Sequence, residues 1–206
     1  MLDVIRILKN EYKEKPVVSG FSSPFHVLIS CILSLRTKDE VTRKASTRLF
    51  EKVKNCEDIL KLKNIEELIY PVGFYKTKAK RIKEICKVLI DDYNGKVPCD
   101  FNELLKLKGV GKKTAAITMV YGFKKVDYIP VDVHVHVVAN RLGWVKTKNA
   151  DETMGALMKI VPKKYWYDLN ELFVKFGQNV CLTVSPFCSR CKVRKYCKRI
   201  GVVRNR

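Results

Sequence analysis

The stretch KGVGKKTAAITM, residues 108–119, sets two glycines around a valine, follows them with paired lysines, and then turns apolar at helical spacing. A phosphate-gripping nucleotide loop, a hairpin between two helices and a plain turn all use such residues. The nucleotide loop requires G-x-x-x-x-G-K-[ST] after a strand. Here Lys106 stands where its first glycine belongs, Lys113 replaces the hydroxyl residue, and no strand pattern precedes. A dinucleotide fingerprint lacks its third glycine. Upstream, DFNELLKLKGVG places Asp100 and Glu103 at capping-box spacing ahead of a leucine run. The segment therefore reads as helix 100–107, a tight turn and helix 112–122. Gly109 and Gly111 let the turn bend and bring its N–H groups close to whatever it touches. The second helix then opens with exposed amides and a positive dipole end, a seat for a phosphate. A plain interhelical turn would use the same residues, and charge separates the two.

That charge is large. Forty-one Lys and Arg against 21 Asp and Glu leave a net +20, which attracts a polyanion. The excess is clustered: YKTKAKRIK, 75–83, has five basic residues and no acid, and 188–206 has eight and none. A lysine-rich composition from a hot habitat would bring matching glutamate, and it is missing. Nucleic acid is the expected partner, ahead of an anionic membrane surface. With 206 residues, 47% of them apolar, the chain can bury one core or two small lobes. No run approaches the ~20 apolar residues of a bilayer span. MLDVIRILKNEYKEK is too charged for a secretion signal, so an intracellular protein of the cytoplasm or nucleoid is expected.

Outward from the hairpin, helix follows helix. SSPFHVLISCIL offers Ser23 as N-cap and Pro24 at the first helical position, then Phe25, Leu28, Ile29, Ile32 and Leu33 on one face. Asn64 and Glu67 repeat the start signal. Ile82, Ile85, Cys86, Leu89, Ile90 and Tyr93 stripe a helix that stops at Gly95. Trp166, Leu169, Phe173 and Phe176 stripe another, ending near Gly177. VDVHVHVV, 131–138, alternates like a strand, but a lone strand would leave its backbone groups unpaired. Pro130 and Asp132 suit a helix start, and a helix is expected.

Eight cysteines fall into two groups. Cys31, Cys56, Cys86 and Cys99 are scattered, and Cys31 and Cys86 fit apolar helix faces. Cys181, Cys188, Cys191 and Cys197 form C-x6-C-x2-C-x5-C. Four thiolates so close together in an intracellular chain hold an iron–sulfur cluster or zinc more readily than they form disulfides. Zinc sites more often show two C-x2-C knuckles, and only one is present. Spacing favours the cluster and leaves zinc open.

LKGVGKKTAA at 107–116, VDVH at 131–134 and the four-cysteine pattern together resemble the endonuclease III family of DNA glycosylase/AP lyases. The resemblance runs from SPF at 23–25 to Cys197. It implies an all-α, two-lobed monomer. A six-helix barrel over 20–125 contains a helix–hairpin–helix at about 100–122. The second lobe, 1–19 plus 126–206, holds a [4Fe-4S] cluster in the loop 181–197. The implied partner is double-stranded DNA carrying a damaged base or abasic site, and the implied activity is excision of damaged bases, expected to be oxidised pyrimidines, followed by β-elimination. Lys113 is then the nucleophile, Asp132 its carboxylate partner, and Cys181, Cys188, Cys191 and Cys197 the cluster ligands. Relatives that only remove a base generally lack this lysine. Crowding by Lys106, Lys108 and Lys112 would favour its neutral amine. DNA contacts are implied at Gly109, Val110, Gly111, Lys112 and Thr114, at His134, and at wedge positions Leu35, Arg36 and Phe74. SLRTKD at 34–39 lacks the family's usual glutamine, His136 and Val137 depart from familiar patterns, and LTVSPF at 182–187 has no basic residue. Arg190, Lys192, Arg194 and Lys195 are the substitutes available there.

Three rivals share parts of this pattern. A non-enzymatic hairpin binder would need neither Lys113 nor Asp132. A metalloenzyme using Asp132, His134 and His136 would need them on a strand. An electron carrier would have no use for the hairpin or the basic charge.

Overall fold

The computed structural model describes residues 1–12 and 23–206, so the expected lobe boundary at residue 19/20 lies outside the described residues. Helices carry the chain, and among the described residues there is no strand. None of these helices is long and apolar enough to cross a membrane. The chain divides into two compact units, Pro16–Lys125 and Met1–Lys15 with Val126–Arg206.

The first unit is built around α2, Pro24–Ser34. Ser23 Oγ accepts the His26 N–H at 3.2 Å with Pro24 at the first helical position, a cap that contributes about 1 kcal/mol. The sequence pattern foresaw one buried face, but every residue from Val27 to Leu33 is buried. A helix apolar on all sides is a central one. It packs on α3 (Asp39–Lys52), α6 (Tyr75–Tyr93), α8 (Lys112–Ile117) and the wider turn Thr118–Gly122 that continues α8. Ser30 and Ser46 settle the polar atoms of the α2–α3 contact by bonding each other at 3.2 Å. The short helices α4 (Cys56–Lys61) and α5 (Ile65–Ile69) lean on α6, and Asn64 heads α5 without a side-chain cap bond. α6 closes through two left-handed residues, Asn94 (φ 53°) and Gly95 (φ 74°), with the Gly95 N–H returning to Leu89 O at 2.8 Å. α7, Phe101–Lys106, then leads into the hairpin.

In the second unit, α1 (Leu2–Glu11) and α9 (Val133–Leu142) both pack on α11 (Trp166–Asn179), and α10 (Ala150–Ile160) packs on α9. VDVHVHVV turns helical from Val133, as its capping residue predicted: Asp132 Oδ1 accepts the Val135 N–H at 2.9 Å. His136 belongs to a structural network. Its Nδ1 lies 2.7 Å from Thr153 Oγ1, and Asn140 joins the same cluster through Thr147. Gly177 does not end α11, which runs on to Asn179. A Cβ there would lie 2.7 Å from His134 Nδ1, so this glycine makes room for the imidazole.

Candidate active site

The hairpin starts from a firm cap. Asp100 Oδ1 accepts the N–H groups of Asn102 (2.8 Å) and Glu103 (3.0 Å). Glu103 does not reach back to complete a capping box; it accepts from Tyr93 OH and from Lys106 Nζ. The Val110 N–H closes the turn on Leu107 O at 3.0 Å, and the Val110 side chain is buried beneath it. The two glycines differ. Gly109 sits at φ +81°, and a Cβ there would meet the Arg81 guanidinium at 2.2 Å. Gly111 has φ −95° and no heavy atom within 4 Å of the place a Cβ would occupy. Its lack of a side chain has no internal cause, and it leaves the backbone open to an outside group.

α8 opens with Lys112 exposed and Lys113 half-buried, followed by buried Thr114, Ala115 and Ala116. Burial pushes the Cys31 thiol on α2 up to about 12, with the positive charge of Lys113 opposing that rise. Lys113 is therefore half-buried and near enough to α2 for its charge to act on Cys31. The expected crowding by like charge is weaker than the sequence suggested. Lys106 pairs with Glu103 at 2.7 Å and Lys108 with Glu84 at 3.1 Å. Val110 and Thr114 are buried, so neither presents its side chain to a ligand.

The wedge positions occupy two adjoining turns. Leu35 is 39% exposed and Phe74 62% exposed, so Phe74 is not a core residue. Arg36 (φ 52°) and Phe74 (φ 58°) are both left-handed, and the Arg36 guanidinium lies 5.8 Å from the Phe74 ring centre. Sequence reasoning missed Lys78, which is buried and bonded to the first of these turns. Its signal was present in the spacing 78, 82, 85, 89, which sets a lysine on the buried face of α6.

In the other unit, Asp132 heads α9 and half-buried His134 lies against Gly177. Cys181, Cys188, Cys191 and Cys197 are free thiols that line one cavity with Phe176, Val180, Phe187 and Val193. Burial raises the thiol pKa of Cys181, Cys191 and Cys197. Arg141 was also missed. Its guanidinium donates to Leu182 O and Thr183 O at 2.6 Å each and to Cys181 O at 3.3 Å, while its own carbonyl accepts from Cys197 Sγ at 3.3 Å. Among the described residues, no group of three or more His, Cys, Asp or Glu side chains is arranged to hold a metal ion. That holds for the four cysteines as well as for Asp132, His134 and His136, which on α9 face separate partners: the Val135 N–H, Gly177 and Thr153 Oγ1.

A hairpin with an open glycine, a lysine in the following turn and a capping aspartate on a later helix define a class. Residues 29–163 match the HhH-GPD superfamily of base excision DNA repair proteins. The chain belongs to that superfamily and, within it, to the endonuclease III family of DNA glycosylases. It is 45% identical to endonuclease III of Thermotoga maritima, over 90% of each chain. It is 41% identical to endonuclease III-like protein 1 of Bos taurus, covering 84% of this chain and 58% of that longer one. Its fold matches an endonuclease III trapped as a covalent intermediate with DNA, at TM-score 0.86 and 34% identity over 95% of this chain and 92% of that one. A thermostable thymine-DNA glycosylase matches at TM-score 0.85 and 29% identity, over 96% and 93%.

Proposed function

We propose that this glycosylase removes damaged bases from double-stranded DNA and then cleaves the strand, with Lys113 as nucleophile and Asp132 as its acidic partner. One observation carries the reading: the hairpin Leu107–Gly111 delivers a half-buried lysine in the first turn of α8, directly ahead of buried Thr114, Ala115 and Ala116. A base inside a duplex must be turned out before its sugar can be reached. The neutral Lys113 amine then forms a bond to C1′ as the bond from C1′ to the base breaks, and the departing base takes up a proton. Opening of the sugar ring gives a Schiff base between Nζ and C1′. Loss of a C2′ proton expels the 3′ phosphate oxygen, and the strand breaks by β-elimination. Asp132, fixed at the head of α9 by its bond from the Val135 N–H, stabilises positive charge at the sugar and assists the proton transfers. Oxidised pyrimidines are the expected lesions, and a panel of duplexes with one lesion each defines the range.

Affinity comes from many phosphate contacts, with the open backbone at Gly111 and exposed Lys112 foremost. Cys181, Cys188, Cys191 and Cys197 would hold a [4Fe-4S] cluster. Four free thiols around one apolar-walled cavity suit thiolate ligation of a cluster, with zinc on the same four sulfurs the alternative. Held by these four residues, a cluster would tie together the loop that carries Arg190, Lys192, Arg194 and Lys195. Arg141 holds the chain at 181–183 from the protein side.

Borohydride trapping on a duplex with an abasic site tests the reading. Lys113→Ala is expected to lose both the covalent adduct and strand cleavage while binding stays within a few-fold of wild type. Cleavage retained in that variant would overturn the assignment.

A further inference from the structure

Lys78 is 6% exposed on the inner face of α6, a place where leucine or methionine would be the inexpensive choice, since an ammonium taken from water must find acceptors. It finds three, matching its three N–H donors: Leu33 O at 2.8 Å, Leu35 O at 2.5 Å and Thr37 Oγ1 at 2.9 Å. Two of these are carbonyls at the end of α2, where the helix leaves its last acceptors unmet. The third is shared, because Thr37 Oγ1 also accepts the Gly73 N–H at 3.1 Å. The two turns touch backbone to backbone there, and a Cβ on Gly73 would lie 2.6 Å from Arg36 O. Arg48 secures the far side of the second turn by donating to Leu68 O at 3.0 Å and to Tyr70 O.

This bracing supports two left-handed residues, Arg36 and Phe74. Such a backbone costs about 1–2 kcal/mol for each L-residue, and strain of this kind persists where surrounding structure imposes it, often at working sites. Phe74 gains little packing in return, being 62% exposed. We propose that Lys78 is a positioning residue that locks the turns at 35–37 and 70–74 into one rigid edge for opening the duplex. The inference rests on the glycosylase reading above. Extruding a nucleotide requires unstacking its neighbours, and proteins that part base steps insert apolar side chains between them. An edge assembled in advance avoids the ordering cost at that moment. Desolvation by burial lowers the pKa of Lys78 to about 8, so the ammonium form with all three donors predominates below that pH.

The test compares wild type, Lys78→Met and the milder Thr37→Val on one abasic site, in a paired duplex and in a single strand of the same sequence. Single-turnover cleavage is read alongside the fluorescence of 2-aminopurine next to the site. Both variants are expected to lose about ten-fold more rate on the duplex than on the single strand, equivalent to about 1.4 kcal/mol, together with the unstacking signal. Equal losses on the two substrates, or no loss, overturn the proposal. If Lys78→Met does not fold, Thr37→Val and Gly73→Ala decide the matter alone. Failure of wild type to form a borohydride adduct on either substrate sinks the Lys113 reading. A wild-type adduct with an unchanged duplex-to-single-strand ratio in the variants sinks the clamp alone.

Discussion

Replacing the two hairpin glycines one at a time separates folding from binding. Gly109→Ala puts an L-residue at φ +81° and drives its methyl to 2.2 Å from the Arg81 guanidinium. The backbone cost is about 1–2 kcal/mol, and moving the Arg81 side chain adds to it. At about 2–4 °C of melting temperature for each kcal/mol in a chain this long, Gly109→Ala should melt roughly 3–8 °C lower. Gly111→Ala has φ −95° and no neighbour within 4 Å. Alanine is a poorer N-cap by a few tenths of a kcal/mol or more, but it restricts the unfolded chain by a similar ~0.4–1 kcal/mol. Stability should stay within ~0.5 kcal/mol of wild type, the usual range for a surface change. Its methyl nevertheless stands where a phosphate would approach the amides of the turn. Urea unfolding followed by circular dichroism measures the first quantity, and titration of a labelled abasic duplex at fixed salt the second. Gly111→Ala should keep wild-type stability and bind about ten-fold more weakly, a loss of about 1.4 kcal/mol. A Gly111→Ala protein that binds as wild type refutes the close approach, and one that unfolds as easily as Gly109→Ala refutes the structural distinction.

Gly177→Ala gains up to about 1 kcal/mol of helix propensity but crowds His134 at 2.7 Å, and overpacking costs about 1–3 kcal/mol; urea unfolding should show net destabilisation, and a more stable variant contradicts the fit. Arg141→Met removes the three carbonyl bonds to Cys181, Leu182 and Thr183, so the visible absorbance of the proposed iron–sulfur cluster should decay several-fold faster under a chelator, with an unchanged rate as the contrary result. Lys78 has its folded pKa lowered by burial from 10.5 to about 8, so between those values the unfolded chain binds more protons. Wild-type stability measured against Lys78→Met should then rise with pH across that window and fall away as pH drops through 8; a flat or declining difference contradicts the assigned shift.

Local chemistry was legible in the sequence because its causes lie within a few residues. Ser23 with Pro24, Asp100 and Asp132 all start helices where their spacing indicated. Asp132 in particular overruled the strand-like alternation of VDVHVHVV. What escaped depends on partners distant in the chain. Gly177 reads as a helix stop because glycine usually is one, yet its cause is His134, 43 positions earlier. Lys78 looked like part of a basic surface run, and only the carbonyls of residues 33 and 35 show it to be internal. Lys106 and Lys108 looked like bare charge beside Lys113, whereas Glu103 and Glu84 pair with them. The glycines of the hairpin look alike in sequence, and it takes Arg81 to tell them apart. The roles proposed for Lys113 and Asp132 both rest on the family resemblance; the sequence by itself offers only the contiguity of hairpin and lysine.

Borohydride reduction of the reaction on an abasic duplex, followed by proteolysis and mass mapping of the cross-linked peptide, addresses the chemistry most directly. The adduct should fall on Lys113 alone, in the peptide that follows the hairpin. A cross-link on another lysine or on the terminal amine, with Lys113 unmodified, contradicts the mechanism.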